Sequence, residues 1–345
     1  MILESGFGQI MAKEIDEVPG VFLKLMRKSE QFQRAKKLVD DSNISSVQIL
    51  ARGTSDNAAY FLKYLIETSL GLPVGLSSPS SVSIYKTKLN FNGVLVIAIS
   101  QSGQSPDLIQ YVQAAKEAGS ALISITNNSN SPLALSSDVH IDLFAGPEIA
   151  VAATKSYSAQ VLASYLLVSA WSGALEKIDG LIEATQVALK IDLSQIVNDF
   201  ATREQIVILG RGFSYANARE AALKIQETCK VPVQGMSTAD YLHGPISALT
   251  PSTTVVLLAP YGIRKNSIDE AVIRIRDIGS KIIWIGNGYP LKGGEFAVGG
   301  SALENEVLSS IADTVLIQRL ALLLSLREGL DPDHPKGLSK VTLTH

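Results

Sequence analysis

The 345-residue sequence contains few of the residues that form disulfide frameworks or metal centres. It has one cysteine, Cys229, so an internal disulfide is excluded, and this scarcity of cysteine points to a reducing compartment. Its four histidines, His140, His243, His334 and His345, show no paired spacing, so the sequence gives no indication of a structural metal site. We therefore expect a cytoplasmic protein without a bound metal.

Charge and hydropathy argue against two further classes of partner. The net charge is −3, so there is no basic excess that would attract nucleic acid. We find no apolar run that approaches the roughly 20 residues a membrane span needs, and we expect no membrane association. The N-terminal segment carries Glu4 and lacks a basic stretch followed by an apolar core, so we expect no signal peptide.

The most informative segment begins at Val94. Val94–Ile99 is an apolar, β-branched run of the kind that forms a strand buried on both faces. Pro106 and Asp107 are residues expected in the first turn of a helix. Between the apolar run and this helix lies the polar loop Ser100-Gln101-Ser102-Gly103-Gln104-Ser105. Such a loop offers N–H groups, hydroxyls and a helix dipole to an anion such as a phosphate, although the P-loop and dinucleotide signatures are absent. The alternative is a turn that only caps the helix.

The second half of the sequence repeats the first. Val47–Ser55 aligns with Ile206–Ser214, and Ala118–Ile125 aligns with Ile278–Ile285, both at an offset of about 160 residues. A repeat of this length indicates a duplicated domain rather than a solenoid. Because buried strand runs alternate with helices in both copies, we predict an α/β protein with two tandem doubly wound domains, each a mostly parallel sheet flanked by helices.

The predicted division of the chain has five parts. They are an N-terminal helical segment (1–34), a first domain that binds an anion (35–175), a connecting helix (176–199), a second domain (200–330) and a C-terminal tail (331–345).

The two copies differ in their chemistry. The second has Pro260–Asn266 where the first has its hydroxyl-rich loop, but it contains the titratable residues Lys224, Glu227, Asp240 and His243. We therefore predict one composite small-ligand site, with the anion bound by the first copy and proton transfer performed by the second.

These residues resemble the sugar isomerase (SIS) family. The resemblance is to the tandem-SIS isomerase half of glutamine–fructose-6-phosphate amidotransferase and to the SIS-type glucosamine-6-phosphate deaminases. The motifs occur in family order along nearly the whole chain: Ala51–Ser55, Ser100–Ser105, Glu148–Lys155, Leu223–Glu227, His243–Pro245 and the tail Asp331–Thr344.

The resemblance implies two sets of sugar-phosphate contacts. The side-chain contacts it implies are Thr54, Ser55, Ser100, Gln101, Ser102 and Ser105. It also implies that the backbone of Val151, Ala152 and Ala153 lines the sugar. The family often has serine where Ala153 stands, so we expect one hydroxyl contact to be missing.

The resemblance further implies the catalytic residues. Glu227 matches the base that moves a proton between C1 and C2, and Lys224 matches a lysine near the sugar. His243 matches the group that opens the pyranose ring, which in the family comes from the neighbouring subunit, so a homodimer is implied. Lys340 matches the tail lysine that can form an imine with the ketose. Gln226 stands where the amidotransferases usually have a second lysine.

Each assignment has a purely structural alternative. His243, before Gly-Pro, could cap a turn, and Asp240 could either orient His243 or be a solvated loop residue. Glu227 is one helical turn from Lys224, as in a surface ion pair. Lys340 could be an ordinary solvated lysine in a mobile tail.

The chemistry that these residues suit is an aldose–ketose interconversion. It needs a phosphate anchor, ring opening and a carboxylate that shuttles one proton through an enediol or enolamine, and it requires no metal or redox cofactor. If the amine at C2 becomes an imine, hydrolysis releases ammonia.

The nitrogen source distinguishes amide transfer from deamination. About 45 residues precede the first strand and no cysteine occurs before Cys229, so we expect no glutaminase activity. The predicted reaction converts glucosamine 6-phosphate to fructose 6-phosphate and ammonia. The alternatives are a galactosamine- or fructosamine-6-phosphate deaminase or deglycase, and a sugar-phosphate-binding regulator, which would need the loop but not the acid/base residues.

Overall fold

The computed structural model describes residues 6–173, 178–200, 205–260, 265–286 and 289–340. Four segments singled out in the sequence lie partly outside these ranges. The residues concerned are 1–5 of the N-terminal segment, 176–177 of the expected connecting helix, 261–264 of the loop after the central strand of the second copy, and 341–345 of the tail.

Helices and strands alternate through the first half of the described chain. In order they are α1 (Gln9–Asp16), α2 (Val18–Met26), α3 (Ser29–Asp40), β1 (Ser46–Leu50), α4 (Thr54–Leu70), β2 (Val74–Leu76), α5 (Ser80–Ser83), β3 (Val94–Ser100), α6 (Pro106–Glu117), β4 (Ala121–Thr126), α7 (Pro132–Ser136), β5 (Val139–Asp142) and α8 (Lys155–Ser172).

The same alternation continues in the second half. Short 3₁₀ turns occur at Pro245–Ala248 and Lys265–Ser267. The other elements are α9 (Leu181–Ala188), α10 (Ser194–Phe200), β6 (Gln205–Gly210), α11 (Ser214–Cys229), β7 (Val233–Ser237), α12 (Thr238–Leu242), β8 (Thr253–Leu258), α13 (Asp269–Ile278), β9 (Lys281–Ile285), β10 (Phe296–Val298), α14 (Glu306–Ala312) and α15 (Thr314–Arg327).

The described chain divides into two compact units. The first comprises residues 20–148, 155–173 and 339–340, and the second comprises residues 6–19, 149–154 and the described part of 178–338. In the second unit, the first N–H groups of α1 are capped from far along the chain. The N–H groups of Ile10 and Met11 donate to the two carboxylate oxygens of Asp333, at 3.0 and 2.7 Å.

The first unit contains a five-stranded parallel sheet in the order β2-β1-β3-β4-β5. Its central strand β3 is the apolar run identified in the sequence, and from Leu95 to Ser100 every residue is buried. On one face, Val96 of β3 packs in a cluster with Leu108 and Tyr111 of α6 and with the loop residue Phe91.

The second unit contains a five-stranded parallel sheet in the order β10-β9-β8-β6-β7. Strands β6 to β10 thus occupy the positions that β1 to β5 occupy in the first sheet. The core beside it includes Trp284, which stacks on Tyr289 with ring centroids 4.7 Å apart. The prediction of two doubly wound parallel sheets flanked by helices is therefore confirmed.

Two details differ from the sequence-based expectations. Residues 178–200 form two helices, α9 and α10, rather than one connecting helix. The second helix starts anew because the carboxylate of Asp192 accepts hydrogen bonds from the N–H and the hydroxyl of Ser194, both at 2.9 Å.

The second detail concerns apolar runs. The stretch Glu306–Arg327 is 22 residues long and its most apolar 18-residue window has a mean hydropathy of 1.7, so by length and composition it could cross a membrane. Its most apolar part is 83% buried inside the protein, and a core helix passes the same test.

Candidate functional site

The predicted anion-binding residues meet at one edge of the first sheet. The chain leaves β1 to form β2 on one side and then forms β3 on the other side, so the loops after β1 and β3 diverge at the carboxyl edge. Such a switch point is the usual ligand crevice of an open parallel sheet. Because Leu50 pairs with Ala98, the loop before Thr54 and the loop after Ser100 lie side by side.

The loop from Ser100 to Ser105 is a tight turn stabilised by its own serines. The N–H of Gly103 donates to Ser100 Oγ at 3.1 Å, and the N–H of Gln104 donates to Ser102 Oγ at 3.3 Å. Gly103 has a φ of 64°, and a Cβ on it would lie 2.2 Å from Ser131 Oγ. Only glycine fits this position without strain.

The same loop leaves hydrogen-bond donors available to a ligand. In the described part of the chain, the N–H groups of Ser102 and Ser105 donate to no protein acceptor. Ser105 is the N-cap of α6, but its hydroxyl does not cap the helix. Three serine hydroxyls, two N–H groups and a helix N-terminus therefore remain for an anion. The alternative was that this loop only caps the helix, but the Ser105 hydroxyl makes no capping hydrogen bond.

The other switch-point loop leads into Thr54 and Ser55, the first residues of α4. Thr54 is half-buried, whereas Ser55 is 5% exposed and its Oγ accepts a hydrogen bond from Nε2 of Gln160 on α8 at 2.9 Å. Ser55 is thus oriented by a buried amide, and its hydroxyl proton remains to be donated.

The tail residue Lys340 is not a solvated lysine in this structure. Its Nζ lies 2.9 Å from Oε2 of Glu148, whose side chain is completely buried. The same carboxylate accepts hydrogen bonds from the N–H and the hydroxyl of Ser156 at the start of α8, at 2.9 and 2.7 Å. Sequence reasoning quoted Glu148 only as the first residue of a motif, since nothing in the sequence relates it to a lysine so far along the chain.

Residues 151–153 belong to the second unit, and their backbone is held within that unit. The N–H of Val151 donates to the carbonyl of Asp333 at 3.2 Å, so this N–H is already used inside the protein. Ala152 is buried, while Val151 and Ala153 are half-buried.

The proton-transfer candidates on α11 form a buried cluster rather than a surface ion pair. Lys224 is completely buried and forms ion pairs with Glu227, whose side chain is 22% exposed, and with the buried Glu220, at 3.6 Å. Sequence reasoning missed Glu220, although its position four residues before Lys224 was a signal.

His243 and Glu227 are not brought together within the second unit. Gln226, next to Glu227, donates through Nε2 to the carbonyl of Val233 at the start of β7, at 2.6 Å. His243 follows α12, beyond the other end of that five-residue strand, which is about 16 Å long. Glu227 therefore lies near the amino ends of the strands of the second sheet, and His243 lies near their carboxyl ends.

The His243 side chain is exposed and, within the described ranges, has no hydrogen-bond partner. Only its backbone N–H contacts Asp240, by donating to the carbonyl oxygen at 3.1 Å. The Asp240 side chain therefore does not orient the imidazole in this chain.

Among the described residues, which leave out 261–264 of the loop after β8, the second switch point contains a small cavity lined by protein. Ser214, which aligns with Ser55, lines a cavity of about 10 Å³ together with Ser310 and Asp313, roughly the space of one water molecule. The hydroxyls of Ser214 and Ser310 are buried, and neither finds a partner among the described residues. Asp313 accepts a hydrogen bond from the N–H of Ser301 at 2.7 Å, and burial raises the pKa of its carboxyl to about 7. Among the described residues, the loop after β3 in the first unit is therefore the candidate anion site.

Comparison with known proteins identifies the family. The family model described as SIS domain matches residues 42–170 and 199–290. The glutamine–fructose-6-phosphate aminotransferase (isomerizing) of Caulobacter vibrioides is 30% identical over 364 residues, which cover 99% of this chain and 60% of that protein. The chain thus spans about three fifths of the length of the curated relatives it matches.

Solved structures share the fold over most of the chain. A crystal structure described as a candidate phosphosugar isomerase from Silicibacter pomeroyi DSS-3 is 29% identical with a TM-score of 0.84, and the match covers 94% of this chain and 99% of that one. Glucosamine-6-phosphate deaminase of Thermotoga maritima is 22% identical with a TM-score of 0.68, covering 94% of this chain and all of that one. At that identity the likeness shows the fold alone.

Proposed function

Because the chain belongs to the SIS-domain family, we propose that it is a phosphosugar enzyme of the isomerase type that deaminates an amino-sugar 6-phosphate. The substrate we propose is glucosamine 6-phosphate, and the products are fructose 6-phosphate and ammonia. A relative is named for fructose 6-phosphate and isomerisation, and a protein of the same fold is named for the deamination of glucosamine 6-phosphate.

The observation that carries this proposal is the loop after β3. It lies at the switch point of the first sheet, has uncommitted N–H groups at Ser102 and Ser105, and leads into the 12-residue helix α6. An anion gains both hydrogen bonds and the helix dipole there. Phosphate binding at this loop would provide binding energy remote from C1 and C2, which can hold the reacting carbons in position.

The proposed reaction moves one proton and then hydrolyses one bond. After His243 assists ring opening, Glu227 takes the proton from C2 and returns it to C1. The intermediate is an enolamine, in which the C1 oxygen has taken up a proton. When C1 is protonated, the amine loses one N–H proton, so that C2 carries an imine and C1 becomes a hydroxymethyl group. Water then adds to C2 and ammonia leaves, so that one water is consumed for each ammonia released.

Two lysines support this chemistry. The buried ammonium of Lys224 contacts both Glu220 and Glu227, which offsets part of the cost of burying two carboxylates on one helix face. Lys340, held beside Glu148, is the amine that could exchange with ammonia at C2.

The test is Glu227→Gln, assayed for ammonia and for fructose 6-phosphate across glucosamine, galactosamine and fructosamine 6-phosphates. We expect turnover to fall by about 10²–10⁴-fold, the usual contribution of a positioned acid/base group. Binding of glucosamine 6-phosphate, measured by calorimetry, should change by less than about threefold because the phosphate contacts are untouched.

The matched control is Gln226→Glu, which places a carboxylate one residue away. It should not replace Glu227 in the Glu227→Gln background. If Glu227→Gln retains turnover, the proposed base is wrong. If wild-type protein binds hexose 6-phosphates but releases no ammonia from any of them, the regulator becomes the better interpretation.

We also propose that the active form is a homodimer, because Glu227 and His243 lie at opposite ends of the strands of one sheet. A partner subunit would then supply His243. The same assay tests this by mixing Glu227→Gln chains with His243→Ala chains, since activity recovers in the mixture only if sites are shared.

A further inference from the structure

The guanidinium of Arg52 joins the two loops of the first switch point, and none of the roles proposed above uses it. Arg52 lies in the loop after β1, and Asp107 lies in the first turn of α6, directly after the Ser100–Ser105 loop. Nε and Nη2 of Arg52 lie 3.0 and 2.8 Å from Oδ2 of Asp107. The arginine is therefore held at the start of the helix whose N-terminus faces the switch point.

The two partners of this ion pair differ in exposure. The Asp107 side chain is 2% exposed, and its other oxygen accepts a hydrogen bond from the N–H of Leu108 at 2.9 Å. The Arg52 side chain is 47% exposed. A buried, fixed carboxylate thus orients a half-exposed guanidinium, which is the arrangement of a positioned cation rather than of a pair closed on itself.

Arg52 retains hydrogen-bonding capacity. A guanidinium has five N–H donors, and the contacts to Asp107 use those of Nε and one of Nη2. The remaining donors find no protein acceptor in the part of the chain that the structure describes. The segments 51–55 and 100–107 contain no other cation. A phosphate monoester bound there by hydroxyls and N–H groups alone would lack a counter-charge, and Asp107 would repel it.

The second copy provides an internal comparison. Arg211 stands at the position equivalent to Arg52, after β6. Its Nη1 donates to Ser237 Oγ at 3.4 Å, and within the described ranges it has no carboxylate partner. The carboxylate-oriented arginine therefore accompanies the hydroxyl-rich loop of the first copy, and the described part of the second copy shows no equivalent ion pair.

We propose that Arg52 is a further binding residue, which donates to the phosphate of the substrate while Asp107 acts as its positioning residue. This proposal rests on the proposed function, because it concerns the same site. Its consequence is selectivity by charge: the site should strongly prefer phosphorylated sugars over free sugars, since Arg52 contributes only when the ligand is an anion.

The experiment compares Arg52→Gln with Arg211→Gln, with inorganic phosphate as the probe in calorimetry and glucosamine 6-phosphate in the activity assay. Loss of a charge-assisted contact should weaken phosphate binding and raise KM by about tenfold to a hundredfold, with kcat kept within about threefold. Arg211→Gln should leave both unchanged. A residue that only joined the loops would instead lower kcat and the melting temperature together.

Arg52→Gln leaves Asp107 buried without its partner, which could destabilise the fold as well as weaken binding. A comparison of the single variant Asp107→Asn with the double variant Arg52→Gln/Asp107→Asn separates the effect on binding from the effect on folding. The double variant leaves no unpaired buried charge at positions 52 and 107, so it should fold, and it should bind phosphate at least tenfold more weakly than Asp107→Asn alone. Equal binding in these two variants overturns the proposal while leaving the function intact. If wild-type protein binds neither phosphate nor any hexose 6-phosphate, the proposed function itself fails.

Discussion

Gly103→Ala should damage the Ser100–Ser105 loop more than its single added methyl group suggests. The φ of Gly103 is 64°, in the left-handed region, where a residue with a Cβ loses roughly 1–2 kcal/mol. The new Cβ would also lie 2.2 Å from Oγ and 2.6 Å from Cβ of Ser131.

Ser131 cannot move away freely. It is the N-cap of α7, and its Oγ accepts the N–H of Ala134 at 3.3 Å. The N–H of Leu133, in the same helix, also donates to the carbonyl of Gly103 at 3.2 Å. Overpacking of this kind typically costs about 1–3 kcal/mol, so the total expected destabilisation is roughly 2–5 kcal/mol.

The assay is urea and thermal denaturation followed by circular dichroism, together with calorimetric titration of phosphate. We expect a clear fall in the denaturation midpoint. Phosphate affinity should fall at least tenfold, about 1.4 kcal/mol, because the N–H groups on either side of Gly103 are displaced.

Two variants separate the causes. Gly119→Ala, in the same unit, has a φ of 82° and open space around the added Cβ, so it should show the backbone cost alone and normal phosphate binding. Ser131→Gly removes both clashing atoms, and combined with Gly103→Ala it should restore about 1–3 kcal/mol. If Gly103→Ala has the same stability and the same phosphate affinity as the wild-type protein, the loop geometry described above is wrong.

The remaining predictions concern buried polar groups in each unit. Ser55→Ala should destabilise the protein by about 1–3 kcal/mol, because it leaves Nε2 of the 1%-exposed Gln160 unpaired. The double variant Ser55→Ala/Gln160→Leu should recover much of that loss in urea denaturation. Asp313 has a folded-state pKa of about 7, above its ordinary 3.8, so its contribution to stability is complete below the ordinary value and is lost as pH rises through the folded value. Between about pH 5 and about pH 8, wild-type protein should therefore lose roughly 2–3 kcal/mol of unfolding free energy that Asp313→Asn retains, and parallel pH profiles would contradict this.

Much of the fold could be predicted from local patterns. The strand expected at Val94–Ile99 is observed as Val94–Ser100, and the helix expected from Pro106 begins there. These predictions succeed because a fully buried parallel strand must be continuously apolar and because proline fits the first helical turn. Local patterns fix the exact start of a helix such as α4, which begins at Thr54, less well, since a helix N-terminus has weaker local signals than a strand core.

The candidate site could be predicted only in part. The residues of the Ser100–Ser105 loop are contiguous, so their proximity follows from the sequence. The ion pairs Lys340–Glu148 and Arg52–Asp107 join residues far apart in the chain, and no periodicity relates them. The burial of Lys224 between two carboxylates likewise depends on what packs over α11, which its helical spacing does not reveal.

The sequence by itself determined most of the secondary structure, the duplication and the segment suited to an anion, because each of these depends on short-range spacing of apolar, small and hydroxyl residues. Only the tertiary structure decided which charged groups lie beside that segment and beside one another. The physical reason is that Arg52 meets Asp107, and Lys340 meets Glu148, through contacts between segments that the chain order keeps apart.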